Sequence, residues 1–209
     1  MRPLYQLALL LLVVLVSQAA HAAPKLVLAF GDSLSAGYQL KPAESFPAQL
    51  QVALVKAGRD VTVKNAGVSG DTSTAGRARL NWVLAGLKTK PDLVILELGA
   101  NDMLRGQDPA IAKANLDAML TELGKRKIPV ILAGMRASPN LGATYVKQFD
   151  AMYGALAVKH KVRLYPFFLD GVAATPKLQL ADGMHPNAAG VAVIVKRILP
   201  TVEAALGPK

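Results

Sequence analysis

The run Leu93-Val94-Ile95-Leu96-Glu97-Leu98 constrains this chain more than any other stretch. Its apolar residues follow one another without alternation, so a strand made from it is buried on both faces. Such a strand needs cover above and below, which means a mainly parallel sheet between helices. Glu97 sits inside the run, and a carboxyl buried there requires a partner.

The rest of the chain supplies the cover. Strand-length apolar runs at 25–30, 61–63, 93–98, 129–135 and 162–165 alternate with helical patterns. Phe46, Leu50, Ala53, Leu54 and Ala57 recur at helical spacing before Gly58, and Leu80, Val83, Leu84 and Leu87 do so before Pro91. Ala112, Leu116, Met119, Leu120 and Leu123 mark a third helix, with Asp108 as N-cap and Pro109 in the first position. Tyr145, Phe149, Met152, Tyr153 and Leu156 mark a fourth. Val191, Ile194, Val195, Ile198 and Leu199 mark the last, capped by Asn187. The expectation is an α/β fold of three layers, α/β/α, around a five-stranded parallel sheet in flavodoxin-like order 2-1-3-4-5.

Residues 1–22 read differently. Arg2 precedes an apolar run from Leu7 to Val16, and Ala20-His21-Ala22 follows as a small-residue cleavage site. That is the layout of a signal peptide, and the apolar run is short against the roughly 20 residues of a bilayer span. Export to the periplasm or the medium follows, with residues 23–209 as a single domain. The chain has no cysteine, which excludes disulfides, thiol nucleophiles and thiolate metal sites. Its three histidines include His21 in the leader, and a zinc centre usually takes three or four protein ligands. A zinc centre is therefore not expected. The formal charge is +10, carried by clusters such as Lys125-Arg126-Lys127 and Lys159/Lys161/Arg163. Cations just after helical stretches favour helix C-termini, which makes them a solvated rim. The alternative is transient contact with anionic headgroups at a membrane surface. Export and an aromatic content of 5% argue against nucleic acid as a partner.

In such a sheet, ligands bind beyond the carboxyl ends of the strands. Gly31-Asp32-Ser33-Leu34-Ser35 follows the first strand, Asn65-Ala66-Gly67-Val68-Ser69-Gly70-Asp71 the second and Gly99-Ala100-Asn101-Asp102 the third. Asp182-Gly183-Met184-His185-Pro186 comes before the last helix. A serine hydroxyl is a weak nucleophile without a positioned base. Asp182, three residues before His185 on a glycine turn, can fold back on one ring nitrogen and leave the other for Ser33. Strands one and three flank the switch point of the order 2-1-3-4-5, which sets Ser33 beside Asn101. Acyl transfer also needs donors for the oxyanion. The Ser33 N–H, the Gly70 N–H and the Asn101 carboxamide are the candidates. Asp32 and Asp102 read as structural acids that bond loop N–H groups, His160 as a helix-end cation, and Phe167-Phe168-Leu169 as packing. Met103, Leu104 and Met184 read equally as acyl contacts or core.

Gly31-Asp32-Ser33-Leu34, the glycine loop around Gly70, Gly99-Ala100-Asn101-Asp102 and Asp182-x-x-His185 resemble the four blocks of the GDSL/SGNH hydrolase family. Within it the likeness is to small exported bacterial enzymes with thioesterase, protease and lysophospholipase activity. The resemblance implies a monomeric serine hydrolase of fatty acyl esters, thioesters and lysophospholipids, without cofactor. Ser33, Gly70, Asn101 and His185 fall on the four named positions and Asp182 on the triad acid. It also implies that 137–142, after the fourth strand, contacts the acyl chain. The chain is not a nucleophile-elbow hydrolase, because Gly31-Asp32-Ser33-Leu34-Ser35 lacks the second glycine of G-x-S-x-G. A short-chain acetyl or carbohydrate esterase with the same triad, and a ligand-binding module with a vestigial site, are the competing readings.

Overall fold

The computed structural model describes residues 23–208, so the leader expected at 1–22 lies outside the described residues. Five strands form one parallel sheet: β1 (Lys25–Gly31), β2 (Val61–Gly67), β3 (Leu93–Glu97), β4 (Val130–Ala133) and β5 (Arg163–Tyr165). Their order is β2-β1-β3-β4-β5, as expected. The longer helices are α2 (Phe46–Lys56), α3 (Ser73–Ala85), α5 (Pro109–Lys125), α6 (Ala143–His160) and α7 (Ala188–Leu206). Two short helices, α1 (Ser33–Ala36) and α4 (Ala100–Leu104), follow β1 and β3 directly.

From β1 the chain steps to one side to reach β2, then crosses back and proceeds in the other direction to β3, β4 and β5. Parallel crossovers are right-handed, so the first connecting helix and the later ones belong on opposite faces. The packing agrees: α2 lies against α7, while α3 packs on α5 and α5 on α6. β3 is buried at every residue, which is why its sequence shows no alternation. Edge strand β2 is exposed or half-buried beyond Val61. Its apolar signal therefore stops at Val63 although the strand runs on to Gly67.

The caps follow their sequence signals. Asp108 accepts from the Ala110 N–H and Asn187 from the Gly190 N–H. Helix α3 starts at Ser73, well before the apolar pattern at Leu80, with the Thr72 hydroxyl accepting from the Ala75 N–H. It ends at Ala85, leaving Leu87 outside. The basic clusters after α5 and α6 lie at the helix C-termini, and in this fold those helices run opposite to the strands. The clusters therefore occupy the end of the sheet away from the strand C-termini. Among them, Lys159 pairs with Asp117, and His160, the last residue of α6, has its Nε2 2.6 Å from Asp117 Oδ1.

One contact sets the place of α1. A Cβ on Gly67 would stand 2.2 Å from the Ala36 N and 2.7 Å from the Ala36 Cα, so the helix backbone lies directly on β2. Asn65 adds a bond from its Nδ2 to the Ala36 carbonyl. Gly67→Ala is therefore expected to cost about 1–3 kcal/mol in urea denaturation, the usual range for overpacking against atoms that cannot yield. Gly124→Ala, in an open part of α5, should be neutral or stabilise by up to about 1 kcal/mol.

Candidate active site

The loops after β1, β2 and β3 and the turn before α7 meet at the carboxyl end of the sheet. Asp32 caps the short helix α1 by accepting from the Leu34 N–H, which puts Ser33 at the first helical position. Ser33 Oγ lies 2.8 Å from His185 Nε2. His185 Nδ1 lies 2.6 Å from Asp182 Oδ2. A carboxylate accepting from Nδ1–H leaves Nε2 as the acceptor for the serine proton.

The turn that carries His185 is held by its own hydrogen bonds. Asp182 Oδ1 accepts from the Met184 and His185 N–H groups, and the Leu180 N–H donates to the His185 carbonyl. Partial desolvation pushes the Asp182 carboxyl up. Those two backbone bonds and the His185 ring outweigh it and bring the carboxyl down to about 2. The Tyr38 ring lies over His185, with centroids 4.5 Å apart and planes tilted by 38°. No periodicity or motif in the sequence marks Tyr38 as a neighbour of the histidine.

Among the donors expected for the oxyanion, the Asn101 carboxamide is tied to the loops that carry the other two. Asn101 Nδ2 donates to Asp32 Oδ2 at 3.1 Å and to the Asp71 carbonyl at 3.0 Å. The carboxamide therefore bridges the residue before Ser33 and the residue after Gly70. Both of its protons are engaged, so an oxyanion would share or replace one of these bonds. The Ser33 and Gly70 N–H groups donate to no protein acceptor among the described residues. Gly70 has φ +85°, a conformation that favours glycine.

Two further residues lock these loops; the sequence reading passed over Arg79 and took Tyr153 only as part of the apolar pattern of a helix. Arg79 on α3 pairs with Asp71, donates to the Gly31 carbonyl at 2.9 Å and stacks over the Phe30 ring. Tyr153 on α6 donates to the Leu98 carbonyl and fixes the start of the third loop. Asp102 is structural, as expected: it accepts from the Ser73 N–H and hydroxyl at the start of α3. Asp32 is structural and fully buried, and burial pushes its carboxyl up to about 6 against the pull of the Leu34 N–H and the Asn101 amide. Glu97 finds its partners here too, accepting from the Ser35 hydroxyl at 3.0 Å and the Asp32 N–H at 3.3 Å.

Beside Ser33 opens a cavity of about 510 Å³. Leu34, Met103, Met135, Phe167, Leu169 and Met184 line it, with the Arg136 guanidinium 5.1 Å from the centre of the Phe167 ring. Met103, Leu104 and Met184 are thus wall residues. Phe167 and Leu169 pack against the core, as expected, and also line the cavity, whereas Phe168 is buried edge-on against Phe46. Of the segment 137–142, Ala137 and Ser138 reach the wall. The Ala137 N–H is tied to Asp150.

Comparisons with known proteins identify the family. The family model described as GDSL-like Lipase/Acylhydrolase matches residues 29–193. The chain belongs to this family. It is 40% identical over 203 residues to "Esterase TesA" of Pseudomonas aeruginosa, covering 97% of this chain and 98% of that protein. It is 38% identical over 183 residues to "Thioesterase 1/protease 1/lysophospholipase L1" of Escherichia coli, covering 88% and 85%. Among solved structures, that of AlinE4, an SGNH-hydrolase family esterase, superposes with a TM-score of 0.76 at 49% identity, covering 90% of this chain and 99% of that one.

A carboxyl whose folded value lies below its unfolded one, roughly 3.9 for aspartate, stabilises the fold above that pH. The contribution fades as pH falls towards the folded value of about 2. Urea denaturation of the protein and of Asp182→Asn should therefore show a stability gap at pH 6 that narrows between pH 5 and pH 2.

Proposed function

We propose that this chain is an exported hydrolase of fatty acyl esters and thioesters that works through an acyl-enzyme on Ser33. The observation that carries this reading is the 2.8 Å contact of Ser33 Oγ with His185 Nε2 at the floor of an apolar cavity. His185 takes the hydroxyl proton as Oγ attacks the acyl carbon, and Asp182 holds the ring and stabilises its charge. The carbonyl oxygen becomes an oxyanion, met by the Ser33 N–H, the Gly70 N–H and the Asn101 carboxamide. Collapse breaks the bond to the alcohol or thiol, which leaves with the proton from His185. Water then attacks the ester on Ser33, giving its proton to His185, and the acid departs as Oγ recovers a proton.

The cavity favours a long acyl chain over an acetyl group, because its aliphatic, thioether and aromatic walls would be left wet by a two-carbon substrate. Arg136 beside Phe167 adds a cation that suits a phosphate-bearing leaving group, such as a lysophospholipid or an acyl thioester of a phosphorylated carrier. The named activities of the Pseudomonas aeruginosa and Escherichia coli relatives support the same substrate class. The leader pattern at 1–22 supports export to the periplasm or the medium, with residues 23–209 read as a single domain acting as a monomer.

Ser33→Ala should fold with unchanged circular dichroism and lose about 10⁶ in turnover on nitrophenyl esters, the loss typical for removing the serine of such a unit. A chain-length series on the parent should peak at medium or long acyl groups. Activity at a tenth or more of the parent would remove Ser33 from the mechanism, and a peak at acetate would favour the short-chain esterase.

A further inference from the structure

Glu97 is a carboxyl at the centre of the sheet, with no exposure to solvent. It ends β3 with Gly31 of β1 on one side and Ala133 of β4 on the other. The Gly31 position is built around it. A Cβ there would stand 2.4 Å from Glu97 Oε2 and 2.2 Å from Ser35 Oγ. The space that any other residue would fill is given to this side chain, which passes beneath the turn carrying Ser33.

Its bonds point upwards to the site. Oε2 accepts from the Asp32 N–H and the Ser35 hydroxyl, on either side of Ser33 in sequence. Asp32, equally buried, accepts with Oδ1 from the Leu34 N–H and with Oδ2 from Asn101 Nδ2. We propose that Glu97 is a positioning residue: from under the nucleophile turn it holds Asp32 and Ser35, and through Asp32 it aims the Asn101 carboxamide at the oxyanion. The role rests on the reading of Ser33 and Asn101 given above.

Glu97 does this as the carboxylic acid. Burial drives its carboxyl well above the usual range, and the neighbouring Asp32 charge drives it further. The hydrogen bonds from the Ser35 hydroxyl and the Asp32 N–H pull the other way and do not prevail. The titratable groups that face it are Asp32 on the β1 turn and Tyr153 on α6, and neither is a cation. Oε1 is buried without a partner, and a charge on it would go uncompensated. Of the two carboxyls, Glu97 keeps the proton and Asp32 carries the charge that orients the amide.

A neutral side chain of the same shape should serve, and an apolar one should not. Glu97→Gln should keep kcat and KM within about threefold. Glu97→Met should lower kcat on a long-chain nitrophenyl ester by about tenfold to hundredfold with KM little changed, short of the ~10²–10³ lost with an oxyanion donor. In an Asn101→Ala background the same Glu97→Met change should cost little, because the residue it aims is gone. An equal loss in both backgrounds overturns the positioning role while leaving Ser33 as nucleophile. Activity surviving Ser33→Ala would instead strike the reading on which the role rests.

A second measurement needs no activity and covers the case in which Glu97→Met does not fold. The folded protein holds a proton on Glu97 that the unfolded chain releases above its ordinary pKa, so wild-type stability falls with pH relative to Glu97→Gln. Between pH 6.5 and 8.5 the ratio of their unfolding constants should change by about tenfold per pH unit while the folded acid stays protonated. A ratio independent of pH means that Glu97 is ionised in the fold and overturns the proposal.

Discussion

Ser33 and His185 are separated by 152 residues, yet their reactive atoms lie 2.8 Å apart. That hydrogen bond needs two elements to be delivered to one place. The first is the turn after β1, a short helix whose backbone rests on β2 because Gly67 has no side chain. The second is the turn before α7, folded on itself by Asp182. Each is held by its own contacts without help from the other. The sheet is therefore the device that converts chain separation into contact, and its central strand, buried throughout, is the part that cannot shift.

The site contains two aspartates that the fold treats in opposite ways. Asp182 is partly exposed and receives two backbone N–H groups and an imidazole, so it stays ionised down to about 2. Asp32 is fully buried and is held up at about 6. One carboxylate holds the His185 ring, and the other holds the Asn101 amide. Environments that separate the pKa values of like groups are how one scaffold assigns different tasks to them. Glu97 beneath Asp32 carries the same logic one layer deeper, where desolvation is complete.

Much of this was legible in the residues, for physical reasons. The unbroken apolar run at Leu93 announced a doubly covered strand, and Asp108 and Asn187 cap the helices that they precede. Ser33, Gly70, Asn101 and the Asp182/His185 turn all follow strands, and strand ends are where a parallel sheet gathers its loops. What was not legible depends on contacts between distant elements. Tyr38 over His185, Arg79 across Asp71 and Gly31, and Tyr153 under Leu98 leave no mark on any local pattern. The first turns of α3 were silent because Ser73, Thr74, Gly76 and Arg77 give no apolar period. That Phe167 and Leu169 also line a cavity was not legible, because an apolar residue on a cavity wall and one in a core look alike in sequence.

The account stands on a reactive alcohol at the start of α1. The most direct test is intact-mass and peptide-mapping spectrometry after exposure of residues 23–209 to a fluorophosphonate. The expected result is one stoichiometric adduct, located on Ser33 and absent after His185→Ala. An unmodified protein, or an adduct on another residue, would contradict it.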